Sequence, residues 1–252
     1  MIPKVLVVGD IMLDVYIDGD VFRISPEAPV PILKFNREFH RPGGAANVAL
    51  NLRGLEANVD LLGIVGADEY GCLLCNLLEN QEIVSRIIVD ETSVTIAKKR
   101  MVSSSHQLLR VDYEEPFSAK AKNDISSAFD SKAFKYDVII FSDYRKGTLD
   151  NIAELILNAK TSFPDTKIIV DPKGNDYLKY NGVDIITPNI KEFELAVGVW
   201  SDENELREKA RDFLTMYDIK YLLLTRSEQG MSLFSLKNGN FEAIDMPSDV
   251  QD

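Results

Sequence analysis

The sequence lacks the features that mark several large classes of protein. Basic residues are in deficit, since 28 Lys and Arg stand against 40 Asp and Glu for a net charge of −12. A nucleic-acid-binding domain needs a basic face, so nucleic acid is not an expected partner. No apolar run approaches the roughly 18 residues that a membrane-spanning helix needs, and the start at Met1 shows no signal-peptide pattern. We therefore expect a cytoplasmic protein without a membrane partner.

Cysteine and histidine are scarce, with two residues of each. Cys72 and Cys75 form a C-x-x-C pattern, which can indicate a redox or metal site. They lie in a stretch with helical periodicity and without a second cysteine pair, so we expect two thiols that face the core. The sequence also lacks the G-x-x-x-x-G-K-[ST] motif and a G-x-G-x-x-G run after its first strand. These absences argue against a P-loop enzyme and a dinucleotide oxidoreductase.

Short apolar runs alternate with helical patterns along most of the chain. The runs cover residues 5–8, 59–65, 138–141, 168–170, 183–186 and 221–224, and the helical patterns cover 45–55, 68–78, 152–159 and 203–217. Continuous apolar strands are typical of a sheet that is covered on both faces. The alternation predicts one three-layer α/β domain over residues 1–252 with a mostly parallel central sheet.

Two segments, 15–35 and 83–113, break this alternation. The first carries Pro26, Pro29 and Pro31 among strand-forming residues, and the second has the pattern of successive strands, the first of them at 83–89. We expect these strands to form a small antiparallel sheet that stands off the main domain as a lid. A lid of this kind would keep water away from a reaction.

Glycines near the start of the chain indicate a ligand site. Gly9-Asp10 ends the first strand, where α/β folds bind ligands, so Asp10 could accept hydrogen bonds from sugar hydroxyls. Gly43 and Gly44 precede a helix of small apolar residues, and backbone without a Cβ atom can approach a ligand closely. Asn47, in the first turn of that helix, could add an amide group. The alternative interpretation is a pair of ordinary turns beside core elements.

The predicted lid strands carry a cluster of cations although the protein is acidic. Strand alternation places Lys98 and Arg100 on one face and Lys99 on the other, and Arg110 lies on the next strand. Arg side chains bind phosphate oxygens in a bidentate manner, so the cluster favours a substrate with an anionic group. The alternative is a solvated edge strand whose charged side chains prevent it from pairing with other chains.

Four successive strands are each followed by polar residues, at 142–147, 171–174, 187–192 and 225–230. Parallel strands end at the same edge of a sheet, so these segments predict the rim of an active site. Asn189 and Glu192 would share one face of a starting helix. An amide beside a carboxylate suits an Mg²⁺ ion that is bound through water.

Together, these motifs resemble the ribokinase (PfkB) family of sugar kinases over essentially the whole chain. The resemblance is carried by Gly9-Asp10-x-x-x-Asp14, Gly43-Gly44-Ala45-x-Asn47-Val48-Ala49, Gly63-x-x-Gly66-x-Asp68 and Asn189-x-x-Glu192. The segments 23–31, 107–112, 142–147, 171–174 and 225–232 are similar to those of bacterial heptose 7-phosphate kinases. This resemblance implies a ribokinase-like fold and transfer of the ATP γ-phosphoryl to O1 of D-glycero-β-D-manno-heptose 7-phosphate, in the synthesis of ADP-heptose for lipopolysaccharide.

The resemblance also implies a role for each candidate residue. The sugar would contact Asp10, Gly43, Gly44 and Asn47, and its 7-phosphate would contact Lys98, Arg100 and Arg110. Asp143, Tyr144 and Lys146 would line the boundary between sugar and nucleotide. ATP and Mg²⁺ would contact Lys173, Asn189, Glu192, Thr225 and Gly230. The lid strands would pair between two subunits of a homodimer, and Arg145 stands where the resemblance implies a small residue.

One element of the family is not found in these 252 residues. The resemblance implies a Gly-Ala-Gly-Asp run whose N–H groups bind the transferred phosphoryl and whose aspartate takes the proton from the acceptor hydroxyl. We expect the catalytic aspartate to lie beyond Asp252 and the chain as given to be inactive. Two alternatives stay open: a catalytically inactive remnant or sugar-phosphate-binding protein, and a kinase for another sugar such as fructose.

Overall fold

The computed structural model describes residues 2–104, 106–129, 136–237 and 239–248. Within this part, the strands are β1 (Lys4–Gly9), β2 (Ile11–Ile24), β3 (Pro31–Gly44), β4 (Asn58–Gly66), β5 (Val84–Asp90), β6 (Ala97–Ser103), β7 (His106–Tyr113), β8 (Val138–Ser142), β9 (Lys167–Asp171), β10 (Ile185–Ile186), β11 (Tyr221–Thr225), β12 (Met231–Lys237) and β13 (Asn240–Met246). The helices are α1 (Ala45–Gly54), α2 (Glu69–Glu79), α3 (Ala119–Phe129), α4 (Ile152–Ser162), α5 (Ile190–Val197) and α6 (Glu203–Met216).

Nine of these strands form one large sheet in the order β13-β12-β11-β10-β9-β8-β1-β4-β5. The strands from β11 to β5 in this order are parallel, and β12 and β13 add an antiparallel hairpin at one edge. The inner strands are the predicted apolar runs, as expected where helices cover both faces. The predicted α/β class with a mostly parallel central sheet is confirmed.

The two faces of the large sheet pack into two separate cores. Along β1, Leu6 and Val8 join the core that contains buried residues of α3 to α6, while Val5 and Val7 join the core beneath α1 and α2. Successive side chains of a strand point to opposite faces, so one apolar strand serves both cores. The result is the predicted arrangement of three layers, helix on sheet on helix.

A second sheet has four strands in the order β3-β2-β6-β7. The pairs β2–β3 and β6–β7 are antiparallel, but β2 and β6 are parallel. The prediction of a purely antiparallel lid is therefore wrong. The physical reason is that β2 follows β1 and β6 follows β5, and both of these strands leave the large sheet at the same edge, so their continuations run in the same direction.

The lid also has different boundaries from those predicted. Residues 83–89 were predicted to lie in the lid, but β5 pairs in parallel with β4 at the edge of the large sheet. In the other hairpin, β2 starts at Ile11 and β3 extends to Gly44. Two prolines lie in the connection between β2 and β3, and Pro31 begins β3, as expected for a residue that cannot donate inside a sheet.

The orientation of α2 corrects the expectation for the cysteines. Leu74 and Leu78 take the buried side of this helix, so Cys72 is exposed and Cys75 is half-buried. Leucine gains more than cysteine from burial because it removes more apolar area from water. Helix α3 and the β12–β13 hairpin were not predicted. No helix within the described residues is long and apolar enough to cross a membrane.

Candidate active site

A cavity of about 350 Å³ opens where the parallel strands of the large sheet end. The side chains around it come from α1, from the ends of β9 to β11 and from the start of α5, and they include Val48, Asp171, Thr187, Asn189, Glu192 and Thr225. Three residues that were predicted from the sequence to serve the nucleotide therefore lie together. Although these residues are separated along the chain, they meet in the fold because parallel strands end at a common edge of the sheet.

Asn189 and Glu192 form the cap of α5. The side chain of Asn189 accepts a hydrogen bond from the N–H of Glu192 at 3.0 Å, and Glu192 Oε2 accepts one from the N–H of Asn189 at 3.1 Å. This reciprocal arrangement is a capping box, which explains their spacing without a ligand. Glu192 Oε1 lies 2.6 Å from Lys173 Nζ. The cap and the ion pair together hold the Glu192 carboxylate at the cavity.

Asp171 adds a second carboxylate, and it was not among the predicted site residues. Burial raises the pKa of Asp171 to about 6, and the charge of Glu192 acts in the same direction. Two carboxylates that repel each other in a partly buried cavity fit a divalent cation, which prefers oxygen ligands. Groups of three or more candidate metal ligands do not occur in the described part of the chain. The donors present therefore fit a cation that also keeps water ligands.

Asp10 does not reach the surface of the cleft. Its side chain is fully buried, and its carboxylate accepts hydrogen bonds from the N–H groups of Tyr144 at 2.8 Å, Lys146 at 3.0 Å and Thr148 at 3.0 Å. These bonds tie the end of β1 to residues 143–148, the loop that follows β8. The arrangement gives Asp10 a positioning role, in place of the predicted contact with a sugar.

Asp14, the second acid of the same motif, is only partly buried. It lies on β2, and a Cβ atom built on Gly43 would lie 2.8 Å from its Oδ2 atom. Gly44 has φ of 57° and a Cβ there would lie 2.3 Å from the carbonyl oxygen of Asp10, so only glycine fits. Helix α1 begins at the next residue, and Asn47 is exposed in its first turn. The predicted glycine turn and helix thus lie beside the Asp14 carboxylate.

The lid strands bring the predicted cations onto one surface. Lys98 lies between Asp14 of β2 and Asp112 of β7, and Arg100 lies opposite Arg110. Like charges directly opposite each other are unfavourable unless they are compensated. Here Arg100 pairs with Asp14 at 2.5 Å and Arg110 pairs with Asp112 at 2.8 Å. We call these residues, together with Lys98, the lid cation surface.

Lys98 differs from its two arginine neighbours. Burial lowers its pKa, with Arg110 and Lys146 acting in the same direction and the carboxylates of Asp112 and Asp14 acting against it. Within the described ranges, no carboxylate lies within ion-pair distance of the Lys98 ammonium. On the opposite face, the Lys99 ammonium lies 5.3 Å from the ring centre of Tyr70. The predicted separation of Lys98 and Lys99 onto two faces is therefore confirmed.

Asp143 is buried at the junction of two loops. Its Oδ2 atom accepts hydrogen bonds from the hydroxyl of Tyr180 at 2.6 Å and from Lys179 Nζ at 2.7 Å, and its Oδ1 atom accepts one from the N–H of Arg145 at 2.7 Å. Burial, followed by the charge of Asp143, raises the pKa of Tyr180. Neither Lys179 nor Tyr180 was predicted, since no local spacing links them to residue 143. Asp143 therefore connects the loop after β8 to the segment after β9.

The remaining predicted residues lie in different surroundings. Lys146 pairs with Glu114 at 2.5 Å and lines a second cavity of about 320 Å³. The N–H of Thr225 donates to the carbonyl of Pro188 at 3.0 Å, at the first cavity. Gly230 has φ of 86°, and a Cβ there would lie 2.1 Å from the carbonyl oxygen of Met246. Gly230 thus serves the turn before β12 and is not brought into the cavity.

A family model decides the lineage. The model described as pfkB family carbohydrate kinase matches residues 2–252. The chain belongs to the PfkB family. The predicted family and its ribokinase-like fold are confirmed, and members of this kinase family use ATP.

Curated PfkB relatives share almost half of the aligned residues. The chain is 45% identical over 250 residues to the "Bifunctional protein HldE" of Shewanella piezotolerans. This alignment covers 99% of this chain and 52% of that protein. The chain is 44% identical over 233 residues to the "D-beta-D-heptose 7-phosphate kinase" of Bordetella bronchiseptica, covering 92% of this chain and 74% of that protein. The chain thus spans about half the length of the HldE proteins that it matches.

Solved structures of PfkB kinases share the fold. Phosphofructokinase-2 of Escherichia coli in complex with fructose-6-phosphate superposes with a TM-score of 0.79 at 17% identity, covering 100% of this chain and 82% of that chain. Ribokinase of Arabidopsis thaliana with ribose and ATP gives a TM-score of 0.70 at 18% identity, covering 98% and 78%. At these identities the similarity concerns the fold alone.

Proposed function

We propose that this chain is a sugar-phosphate kinase domain that acts on D-glycero-β-D-manno-heptose 7-phosphate and transfers the ATP γ-phosphoryl to O1. The names of the curated relatives support this substrate, because two of them are HldE and heptose 7-phosphate kinase. The reaction would supply an intermediate for ADP-heptose and lipopolysaccharide. The observation that carries the proposal is the lid cation surface, whose Arg100 pairs with Asp14 next to Gly43.

In this proposal, the 7-phosphate of the substrate binds to the lid cation surface. Arg100 and Arg110 each have a carboxylate partner, so their charge is already balanced. Lys98 is partly buried beside them and forms no ion pair within the described residues, so its ammonium can take a new anion. Lys98 therefore makes the principal contact with the phosphate, and the two arginines supply directed hydrogen bonds.

The sugar hydroxyls bind next to the start of α1. Asp14 supplies a carboxylate, Gly43 and Gly44 allow close approach of the backbone, and Asn47 supplies an exposed amide. Asp14 replaces Asp10 in this role, because the Asp10 carboxylate is occupied by backbone N–H groups.

The nucleotide phosphates bind at the cavity between β9 and α5. Thr225 lines this cavity, and Lys173 pairs with Glu192 beside it. Lys146 and Asp143 would form the boundary with the sugar site. Mg²⁺ would be held by Asp171 and Glu192 with Asn189, partly through water, and it would neutralise charge on the transferring phosphoryl. The protein residues would position the phosphates and hold the cation.

We further propose that the protein forms a homodimer through the lid. The far end of the β2–β3 hairpin exposes large apolar side chains: Phe22 is 80% exposed, and Ile24 and Phe35 are each 60% exposed. A contiguous apolar surface of this kind is typical of an interaction site.

Calorimetric titration with heptose 7-phosphate and with unphosphorylated heptose tests the substrate. The parent chain should bind the phosphorylated sugar at least tenfold more tightly, and Lys98→Met should remove about tenfold of that affinity while leaving heptose unchanged. Lys99→Met is the matched control, because it removes a cation from the opposite face of the same strand.

Equal affinities for the two sugars would contradict the proposal, and tighter binding of fructose 6-phosphate would assign another substrate. An ATP-consumption assay on the same samples addresses the prediction that these 252 residues are inactive, which stays a prediction. Turnover above background would show that another residue acts as the catalytic base.

A further inference from the structure

The backbone of Arg145 is held in an uncommon conformation. Arg145 has φ of 56°, in the left-handed region that long side chains rarely adopt. It lies in the loop after β8, at the position where the family resemblance implies a small residue. Such conformations persist only where the surroundings fix them, and they concentrate at functional sites.

Two buried carboxylates fix the loop on both sides of Arg145. The N–H of Arg145 donates to Asp143 at 2.7 Å, and the N–H groups of Tyr144 and Lys146 donate to Asp10 at 2.8 and 3.0 Å. The loop therefore has little freedom to move the Arg145 side chain elsewhere. A positioned arginine also loses less entropy when it binds a ligand.

The Arg145 side chain lies across the loop that follows β9. A Cβ atom built on Gly174 would lie 3.2 Å from Arg145 Cδ and 3.3 Å from its Nη1 atom, so the guanidinium rests against a residue without a side chain. The preceding residue is Lys173, whose ammonium pairs with Glu192 at the proposed nucleotide cavity. The guanidinium thus rests against the loop whose lysine side chain reaches the proposed nucleotide cavity.

Arg145 forms no ion pair within the part of the chain that the structure describes, although Glu114, Glu115 and Asp150 line the same cavity. Lys146, Lys173 and Lys179 each form an ion pair of 2.5 to 2.7 Å with a carboxylate. No carboxylate among the described residues lies within ion-pair distance of Arg145, whose side chain is exposed. A guanidinium offers a planar set of donors that matches the oxygens of a phosphate group.

We propose that Arg145 binds the terminal phosphates of the nucleotide. This inference rests on the proposed function, and it adds a residue that the family motif does not assign: Arg145 lines the second cavity, with Lys146, and lies outside the lining of the first. The sugar phosphate is the less suitable anion, because the lid cation surface lies on β6 and β7, whereas the Arg145 guanidinium packs against Gly174 in the loop after β9.

Calorimetry with Mg²⁺ and β,γ-imido-ATP, ADP or AMP tests this role in the parent, Arg145→Ala, Arg145→Gly and Arg145→Lys. Both Arg145→Ala and Arg145→Gly should weaken β,γ-imido-ATP by about tenfold or more and leave AMP and heptose 7-phosphate unchanged. Arg145→Gly should also raise Tm by about 2 °C, because glycine relieves the left-handed backbone. Arg145→Lys should retain part of the affinity.

Unchanged affinity of Arg145→Ala for β,γ-imido-ATP would overturn the inference and leave the proposed function standing. So would an equal loss for AMP, or a loss confined to heptose 7-phosphate, since either would put the guanidinium on another part of a ligand. A parent chain that binds neither heptose 7-phosphate nor nucleotide would instead contradict the proposed function, and this inference with it.

Discussion

The carboxylate of Asp10 accepts a hydrogen bond from the backbone N–H of Tyr144 at 2.8 Å, across 134 positions of the chain. The bond joins the end of β1 to the loop after β8, which borders the proposed nucleotide site. Because the same loop carries Lys146 and Arg145, the buried aspartate controls where two cations stand. An acidic residue in a sequence motif can thus serve a site without touching its ligand.

Asp10→Ala should reduce the free energy of unfolding by about 2–4 kcal/mol, because it leaves buried N–H donors without an acceptor. Asp14→Ala is the control, since Asp14 lies partly exposed on the lid. It should cost about 1 kcal/mol or less and weaken binding of the sugar. Urea unfolding and calorimetry on both variants measure the two effects. Unchanged stability of Asp10→Ala with lost sugar binding would return Asp10 to the sugar site.

Asp171 should make stability depend on pH. Its pKa of about 6 in the folded state lies above the ordinary value near 4. Between pH 6 and pH 4 the folded state therefore binds more protons than the unfolded state, and the contribution of this group to stability rises as pH falls. Above pH 6 the ionised Asp171 destabilises the fold.

Asp171→Asn should therefore stabilise the protein at pH 7 by on the order of 1–2 kcal/mol in the absence of Mg²⁺. It should also flatten the pH dependence between pH 4 and 6. Asp165→Asn, at an exposed position, is the control and should leave the profile unchanged. Thermal unfolding at a series of pH values gives the answer, and identical profiles for parent and Asp171→Asn would remove Asp171 as the cause.

Tyr180→Phe should destabilise the protein more than Tyr177→Phe. The Tyr180 hydroxyl donates to the buried Asp143 carboxylate at 2.6 Å, whereas that of Tyr177 donates to the neutral carbonyl of Glu192 at 3.1 Å. Hydrogen bonds to charged groups contribute more, so we expect losses of about 2 and about 1 kcal/mol. Equal losses in denaturant unfolding would show that Lys179 alone compensates Asp143.

Phe22→Glu should dissociate the proposed homodimer. A charge placed in an apolar interface loses its hydration without gaining a partner, so we expect the dimer dissociation constant to rise by about tenfold or more. Leu157→Glu is the control, because Leu157 is a similarly exposed apolar residue on α4, outside the lid. Sedimentation velocity distinguishes the species. A parent chain that sediments as a monomer would contradict the dimer.

Local sequence patterns predicted those elements whose amino-acid composition alone indicates burial and the type of secondary structure. The apolar run of β1 and the small residues after Gly44 allow little besides a buried strand and a buried helix. In α3, by contrast, the buried side chains are few and most of the others are polar or charged. Its helical state depends on the sheet beneath it, and its short amphipathic pattern was not recognised in the sequence.

The assignment of side chains to the site was less successful, for a related reason. The motif Gly9-Asp10-x-x-x-Asp14 contains two acids, and nothing in their spacing says which one is buried. The loop after β8 decides this by placing three N–H donors against Asp10. Likewise, Asn189 and Glu192 could be chosen from their spacing, but the link of Asp143 to Tyr180 joins residues that no pattern connects.

The sequence by itself determined the fold class and the presence of clustered cations on the lid strands, because these follow from side-chain size, period and charge along the chain, and its motifs carried the resemblance to the family. Only the tertiary structure decided which carboxylates are buried, which cations are already paired and how the lid strands run. Those properties depend on distances between residues that are far apart in the chain. A buried carboxylate and an exposed one become different chemical groups only when the fold has set their surroundings.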